Sequence, residues 1–213
     1  LTLLNVMFIM TGRTGFLVML LLVFLAIFWE FPKRHRWTLI ALPAVLIATL
    51  MGLSPRFQHR MLEVQRDIAL YQQGQFDSSS GQRIDYWHRS VLALREKPVL
   101  GSGVGSWKSE YIRLGGLQQN PPSNPHQQYL LWAVESGLAG LILFLGIFLA
   151  LFVDAKSLSR EAAHALLATT MIAGLMGMMN CPFFGVGMGE FFMVMMGSLL
   201  RITDSTTLKQ SIK

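Results

Sequence analysis

Charge is what this chain has least of. Asp, Glu, Lys and Arg make up 14% of its 213 residues, against about 25% in a soluble domain. That shortage, beside 52% hydrophobic residues and a mean hydropathy of +0.44, excludes an ordinary soluble domain. Cysteine is scarcer still. Cys181 stands alone, which excludes an internal disulfide and a cysteine metal cluster; beside Pro182 it reads as a packed thiol. Metal motifs are missing too. There is no DxD, no HExxH and no carboxylate cluster, and Glu135 and Glu190 lie in apolar sequence far apart. No metal, cofactor or nucleic-acid partner is expected. An anionic substrate would have to be neutralised by Arg or Lys. The front of the chain has no basic leader followed by a small-residue cleavage site. It opens on Leu1, and Leu1–Met10 reads as the end of a helix, so a C-terminal piece of a longer protein is expected.

What is present is apolar sequence in long blocks. Phe16–Phe31, Trp37–Leu53, Gln128–Val153, Ala162–Met179 and Phe183–Leu200 approach or reach the roughly 20 residues needed to cross a bilayer. Only helices and closed barrels satisfy the backbone in lipid, and the alternation of barrel strands is absent. The expected fold class is an all-α polytopic membrane protein. Its parts would be transmembrane helices over 1–53, a loop domain over 54–127, and transmembrane helices with a cytoplasmic tail over 128–213. The basic run Lys33-Arg34-His35-Arg36 sits between the first two spans, and short basic loops stay cytoplasmic. That orientation puts Ser54–Gln127 outside, in a bacterium the periplasm, and Asp154–Arg160 inside.

The outer loop carries nine Arg and Lys against six Asp and Glu. A solvated basic face and a surface for an anionic substrate both account for this. Ser54-Pro55 resembles a helix start, and Phe57, Met61, Val64, Ile68 and Tyr71 follow at helical spacing. Ser78-Ser79-Ser80-Gly81 breaks that helix. A second begins near Gln82, with Ile84, Trp87, Val91 and Leu94 on one stripe, and ends at Pro98. Asp85 and Arg89 stand four apart in the order that favours an ion pair. Gly101-Ser102-Gly103-Val104-Gly105 lacks the lysine and serine of a phosphate loop. It reads as a turn that lets backbone pass close to another helix.

Three residues could carry chemistry. Arg13, in Thr11-Gly12-Arg13-Thr14-Gly15, interrupts apolar sequence, either as an anchor snorkelling to the interface or in a break facing a cavity. Arg83 stands one helical turn before Trp87. Its planar fork suits diphosphate, and a plain surface role is the alternative. His126 lies immediately before the Gln128 span. Imidazole titrates near neutrality, which suits a general base, while a buried helix cap is the competing reading. His35, His59, His88 and His164 read as exposed or structural.

These residues fall in an ordered set: Arg83-Ile84-Asp85-Tyr86-Trp87, Lys97-Pro98-Val99-Leu100-Gly101-Ser102-Gly103, His126-Gln127-Gln128-Tyr129-Leu130 and Glu135-Ser136-Gly137-Leu138-Ala139-Gly140. In that order, within a large loop before a span, they resemble the O-antigen ligase and polymerase superfamily, and O-antigen ligases most. The resemblance implies a GT-C-like helical bundle in the bacterial inner membrane with its active site facing the periplasm. It implies an undecaprenyl-diphosphate-linked glycan donor and a lipid A-core acceptor. Family ligases carry an essential arginine in a short break, matching Arg13. A second lies at the start of a loop helix, matching Arg83, and a histidine before the next span matches His126. Asn often follows that histidine where this chain has Gln127. The expected roles are Arg13 and Arg83 on the diphosphate, with Trp87 among the substrate-binding residues, and His126 as base. O-antigen polymerase, protein O-oligosaccharyltransferase and a non-enzymatic lipid-glycan transporter remain the alternatives.

Overall fold

A computed structural model describes residues 13–32, 34–35, 37–39, 41, 45, 62–63, 65–70, 78–117 and 119–211. The regular structure among those residues is helical, with no strand. The elements are α1 (Arg13–Glu30), α2 (Ser79–Glu96), α3 (Trp107–Arg113), α4 (Gln128–Asp154), a 3-10 turn (Ala155–Ser157), α5 (Arg160–Met179) and α6 (Met188–Ser211). The expected span Trp37–Leu53 and the helix through Phe57, Met61, Val64 and Tyr71 lie largely outside the described residues. Contacts divide the chain into two units, Leu1–Asp85 and Tyr86–Lys213, the division falling within α2.

Two described helices are long and apolar enough to cross a membrane, Gln128–Ser157 and Arg160–Met179; Leu17–Glu30 is apolar but shorter. In a soluble bundle such helices would bury their apolar side chains. Here Ile142, Leu143 and Leu149 on α4 are each more than 60% exposed. A face this apolar and this open belongs against lipid. The last expected span begins later than its sequence suggests. Phe183 and Phe184 belong to the turn after α5, and α6 starts at Met188.

Helix α4 is broken at Gly137, and the break organises everything near it. Gly137 has φ 66° and ψ −166°, a region essentially closed to residues with a Cβ. The carbonyls and N–H groups freed by the break pair instead with the loop after α2. Ser102 N–H donates to Val134 O (2.9 Å) and Gly103 N–H to Glu135 O (2.8 Å). In return Leu138 N–H donates to Pro98 O (2.7 Å) and Ala139 N–H to Val99 O (3.2 Å). The glycine-rich loop is thus a turn that brings backbone against a helix, as its sequence suggests. Gly101, at φ 68°, has no room for a Cβ, which would stand 2.6 Å from Val134 O. A Cβ on Gly137 would overlap the Val99 carbonyl.

Around this junction α2 and α3 pack on the first turns of α4. Tyr86, Ala93, Trp107, Tyr111, Leu131, Val134 and Cys181 form one buried cluster. The face of α2 that is buried holds Tyr86, Ser90 and Ala93, while Trp87 and Val91 of the sequence stripe are more than a third exposed. A polar relay explains the choice. Trp107 Nε1–H donates to Ser90 Oγ (2.8 Å), which donates to Tyr86 O (2.7 Å). Facing outward, Ser90 could not satisfy the buried indole. α2 starts three residues earlier than Gln82 because Ser78 Oγ accepts Gly81 N–H (3.0 Å), a helix-capping bond.

Glu110 fastens α3 to the end of α2. It lies 2.7 Å from Arg113 and 3.7 Å from Lys97, and Arg113 also reaches Glu96. Burial disfavours the ionised Glu110 carboxylate. The Arg113 hydrogen bond and the charges of Arg113 and Lys97 outweigh it, so the group stays below its ordinary value of 4.5. A second cluster joins the membrane helices. Leu151, Leu166, Ala173, Phe192 and Met196 meet across α4, α5 and α6. Gly174 and Gly177 let α4 approach α5 closely enough for Tyr129 hydroxyl to donate to Gly174 O (2.8 Å).

The junction makes two tests available. Gly137→Ala adds strain and a backbone collision, and should destabilise by more than about 2 kcal/mol. Gly101→Ala should act in the same direction, and the double variant should lose less than the sum because both break one junction. Thermal unfolding in detergent reads both, and a wild-type melt for Gly137→Ala would refute the account. Glu110 gives a pH test. Its folded carboxyl is held low, so its contribution is present above the ordinary carboxylate value and is lost as pH falls through the folded one. The stability gap between wild type and Glu110→Gln should therefore close on acidification. A gap that widens in acid would contradict this.

Candidate active site around His126

The segment Asn124-Pro125-His126-Gln127 leads into α4. His126 has φ 52°, a left-handed backbone that is uncommon outside glycine, though His, Asn and Asp adopt it more than most. Local contacts hold it there. His126 N–H donates to Asn124 Oδ1 at 2.9 Å, closing a turn. Trp87 Nε1–H donates to Pro125 O at 3.1 Å, tying the segment to α2. Pro125 is fully buried. The helix cap is the next residue: Gln127 Oε1 accepts Leu130 N–H. The amide of Gln127 thus has a defined job, and His126 is not the capping residue.

The imidazole is half-buried between α2 and the turn after α5. Its ring stacks beside Tyr86, 6.3 Å between centroids and 28° between planes. Nδ1 lies 3.2 Å from Asn180 Oδ1. Asn180 ends α5 and its N–H donates to Met176 O at 2.8 Å. Cys181 lies beneath this arrangement. It is buried, and burial pushes its thiol up to about 12, against the lowering effect of the Gln127 and His126 backbone N–H groups. A packed, protonated thiol is what Pro182 and the apolar context suggest.

The other sequence-singled residues are placed more loosely. Arg13 is the first residue of α1, and Thr14 and Gly15 lie in the same helix. Arg83 is exposed on α2, one turn before Trp87. Trp87 keeps an exposed ring edge while spending its N–H on the His126 segment. Arg89 donates to Leu114 O and lies over the Tyr111 ring, 5.7 Å from its centroid. Glu135, an intramembrane carboxylate by sequence, accepts the Trp107 backbone N–H at 3.4 Å. It meets the first turn of α3, whose N-cap Ser106 makes no side-chain cap. Among the described residues no three His, Cys, Asp or Glu side chains gather as metal ligands.

Sequence alone assigns no role to Asn124, Tyr86 or Asn180. Asn124-Pro125 carried a usable signal, since Asn before Pro favours a turn. Asn180 stands as a lone amide between apolar α5 and Pro182. Only the fold reveals that it meets a histidine 54 residues away.

Comparison with known proteins gives this geometry a family. The family model described as O-antigen ligase matches residues 1–145. A Rickettsia conorii protein named as a candidate polysaccharide ligase is 39% identical over 74 residues, 32% of this chain and 18% of that protein. A Rickettsia felis protein with the same kind of name is 29% identical over 134 residues, 58% of this chain and 33% of the relative. An uncharacterised Haemophilus influenzae protein is 27% identical over 136 residues, covering 60% and 34%. The chain spans about a third or less of the length of these curated relatives. With the matched region running from the first residue through α2, the His126 segment and the broken first part of α4, the chain belongs to the O-antigen ligase family.

Proposed function

We propose that this chain carries the transfer site of a membrane glycosyltransferase that moves a glycan from undecaprenyl diphosphate to a hydroxyl of lipid A-core. The observation that carries the reading is His126 itself. A histidine is held on an unfavoured backbone at the head of a membrane helix, with Nδ1 engaged and Nε2 left as the nitrogen to face a substrate. Such strain is maintained at functional positions more often than elsewhere. Family membership and the names of the Rickettsia relatives support a ligase over a transporter.

The chemistry is a single displacement. The acceptor hydroxyl oxygen attacks the anomeric carbon and its proton passes to His126 Nε2. The bond from that carbon to the diphosphate oxygen breaks, and undecaprenyl diphosphate departs with the electron pair. One displacement inverts the anomeric centre. Arg13 and Arg83 bind the diphosphate and stabilise the charge that grows on it, an electrostatic task that permanent, forked cations perform without a metal. Trp87 offers an apolar edge beside the donor. The helices form a GT-C-like bundle in the inner membrane, and the 54–127 loop domain faces the periplasm. O-antigen polymerase and protein O-oligosaccharyltransferase share this donor chemistry and differ in the acceptor.

Orientation is tested first. With Lys33–Arg36 inside, Gln119→Cys, in an exposed stretch of the loop, should react with an impermeant maleimide in cells whose outer membrane alone is opened. Labelling only after inner-membrane lysis would reverse the topology and the mechanism.

Arg83→Lys keeps charge but loses the fork. Turnover should fall about ten- to a hundredfold, close to the loss in Arg83→Ala, as expected for one charge-assisted contact. A fully active Lys variant would reduce Arg83 to a generic positive charge.

His126→Ala and His126→Asn should each lower turnover by about 10²–10⁴-fold with donor affinity retained. Asn tolerates the left-handed backbone, so it separates lost chemistry from added strain. Normal turnover per folded molecule of His126→Asn would remove His126 from catalysis.

A further inference from the structure

We infer that Asn180 is the positioning residue of His126: its side-chain oxygen holds the imidazole in the form with hydrogen on Nδ1 and the lone pair on Nε2. The inference rests on the reading of His126 as general base and deepens it.

The argument turns on which end of the Asn180 amide faces the ring. The two ends are alike in shape and opposite in hydrogen bonding. The end that meets the ring also lies 2.9 Å from the Cys181 backbone N–H. A backbone N–H only donates, so that end is the oxygen. An amide oxygen has two lone pairs and no hydrogen. The second group it meets, His126 Nδ1 at 3.2 Å, must therefore be the donor. A neutral imidazole carries one donor nitrogen and one acceptor nitrogen. With hydrogen on Nδ1, the acceptor is Nε2. The protonation pattern of the base is thus set by a backbone hydrogen bond one residue beyond Asn180.

Both partners are held. Asn180 is anchored by its own N–H to Met176 O (2.8 Å), and Pro182 follows two residues on. His126 is held from below by the Asn124 turn, from α2 by the Trp87–Pro125 bond and on its face by Tyr86. During transfer Nε2 takes the acceptor proton and the ring becomes imidazolium. Nδ1–H goes on donating to the same oxygen, so nothing else has to move. A neutral amide selects the tautomer and the direction of the ring without adding a negative charge beside the departing diphosphate.

The test uses the intact purified protein with ¹⁵N-labelled histidine. His126 signals are identified by their loss in His126→Asn. In the neutral wild-type ring, Nδ1 should carry the proton and Nε2 should show the shift of an unprotonated nitrogen. In Asn180→Ala this preference should be lost. Turnover in that variant should fall about ten- to a hundredfold, the range typical of partners that orient a functional histidine. KM should stay within about twofold, because substrate binding is carried elsewhere. Asn180→Asp keeps the oxygen and should recover most of the turnover. Adding Asn180→Ala to His126→Asn should cost nothing more.

An unprotonated Nδ1 in the wild-type spectrum would overturn the assignment, as would unchanged turnover in Asn180→Ala, or a loss that adds fully to that of His126→Asn. If Asn180→Ala does not fold, the wild-type spectrum and Asn180→Asp still decide. The parent reading fails differently. Normal turnover in His126→Asn would remove the base, and this inference with it, whatever the tautomer.

Discussion

The arrangement near the candidate site depends on one exchange of backbone hydrogen bonds. A helix in lipid has no water to satisfy a carbonyl or N–H that its own ladder drops. Breaking α4 at Gly137 frees two of each, and the loop at 98–103 answers all four. Because the partners are main-chain atoms, the loop must lie flush against the helix, which is why Gly101 and Gly137 cannot carry a side chain. That contact fixes the end of α2 against α4. With α2 fixed, Tyr86, Ser90 and Trp87 have their places, and the His126 segment has something to lean on.

Parts of this were legible in the residues and parts were not. The apolar runs located α4 and α5 to within two residues, because lipid imposes length and composition directly. The Gly101–Gly105 stretch could be read as a close-approach turn, since glycine without phosphate-loop partners leaves little else. The break in α4 was hidden inside Glu135-Ser136-Gly137-Leu138-Ala139-Gly140, where glycine in an apolar run looks like any packing residue. The buried face of α2 does not coincide with its apolar stripe, for a physical reason. Apolar spacing favoured Trp87 and Val91, but the indole of Trp107 needed an acceptor, and Ser90 turned inward to provide one.

The candidate site shows the same division. His126 was recognisable from its place before a span and from the family pattern. Its unusual backbone and its neighbours were not, because they come from α2, the 124–125 turn and the end of α5 together. Gln127 has its own explanation. The amide caps α4 through Leu130 N–H and so frees His126 from that duty. Arginine placement stays a matter of pattern, with Arg13 opening a helix and Arg83 presented on α2.

Burial of Cys181 has a consequence for its reactivity. A thiol is a target for mixed disulfides wherever its surroundings are oxidising. The nucleophile in those exchanges is the thiolate. Burial holds the group well above its ordinary value, so little of it is thiolate at neutral pH. The same burial shuts out the approaching disulfide. Cys181 can therefore serve beneath the histidine segment as a packing atom that is slow to exchange.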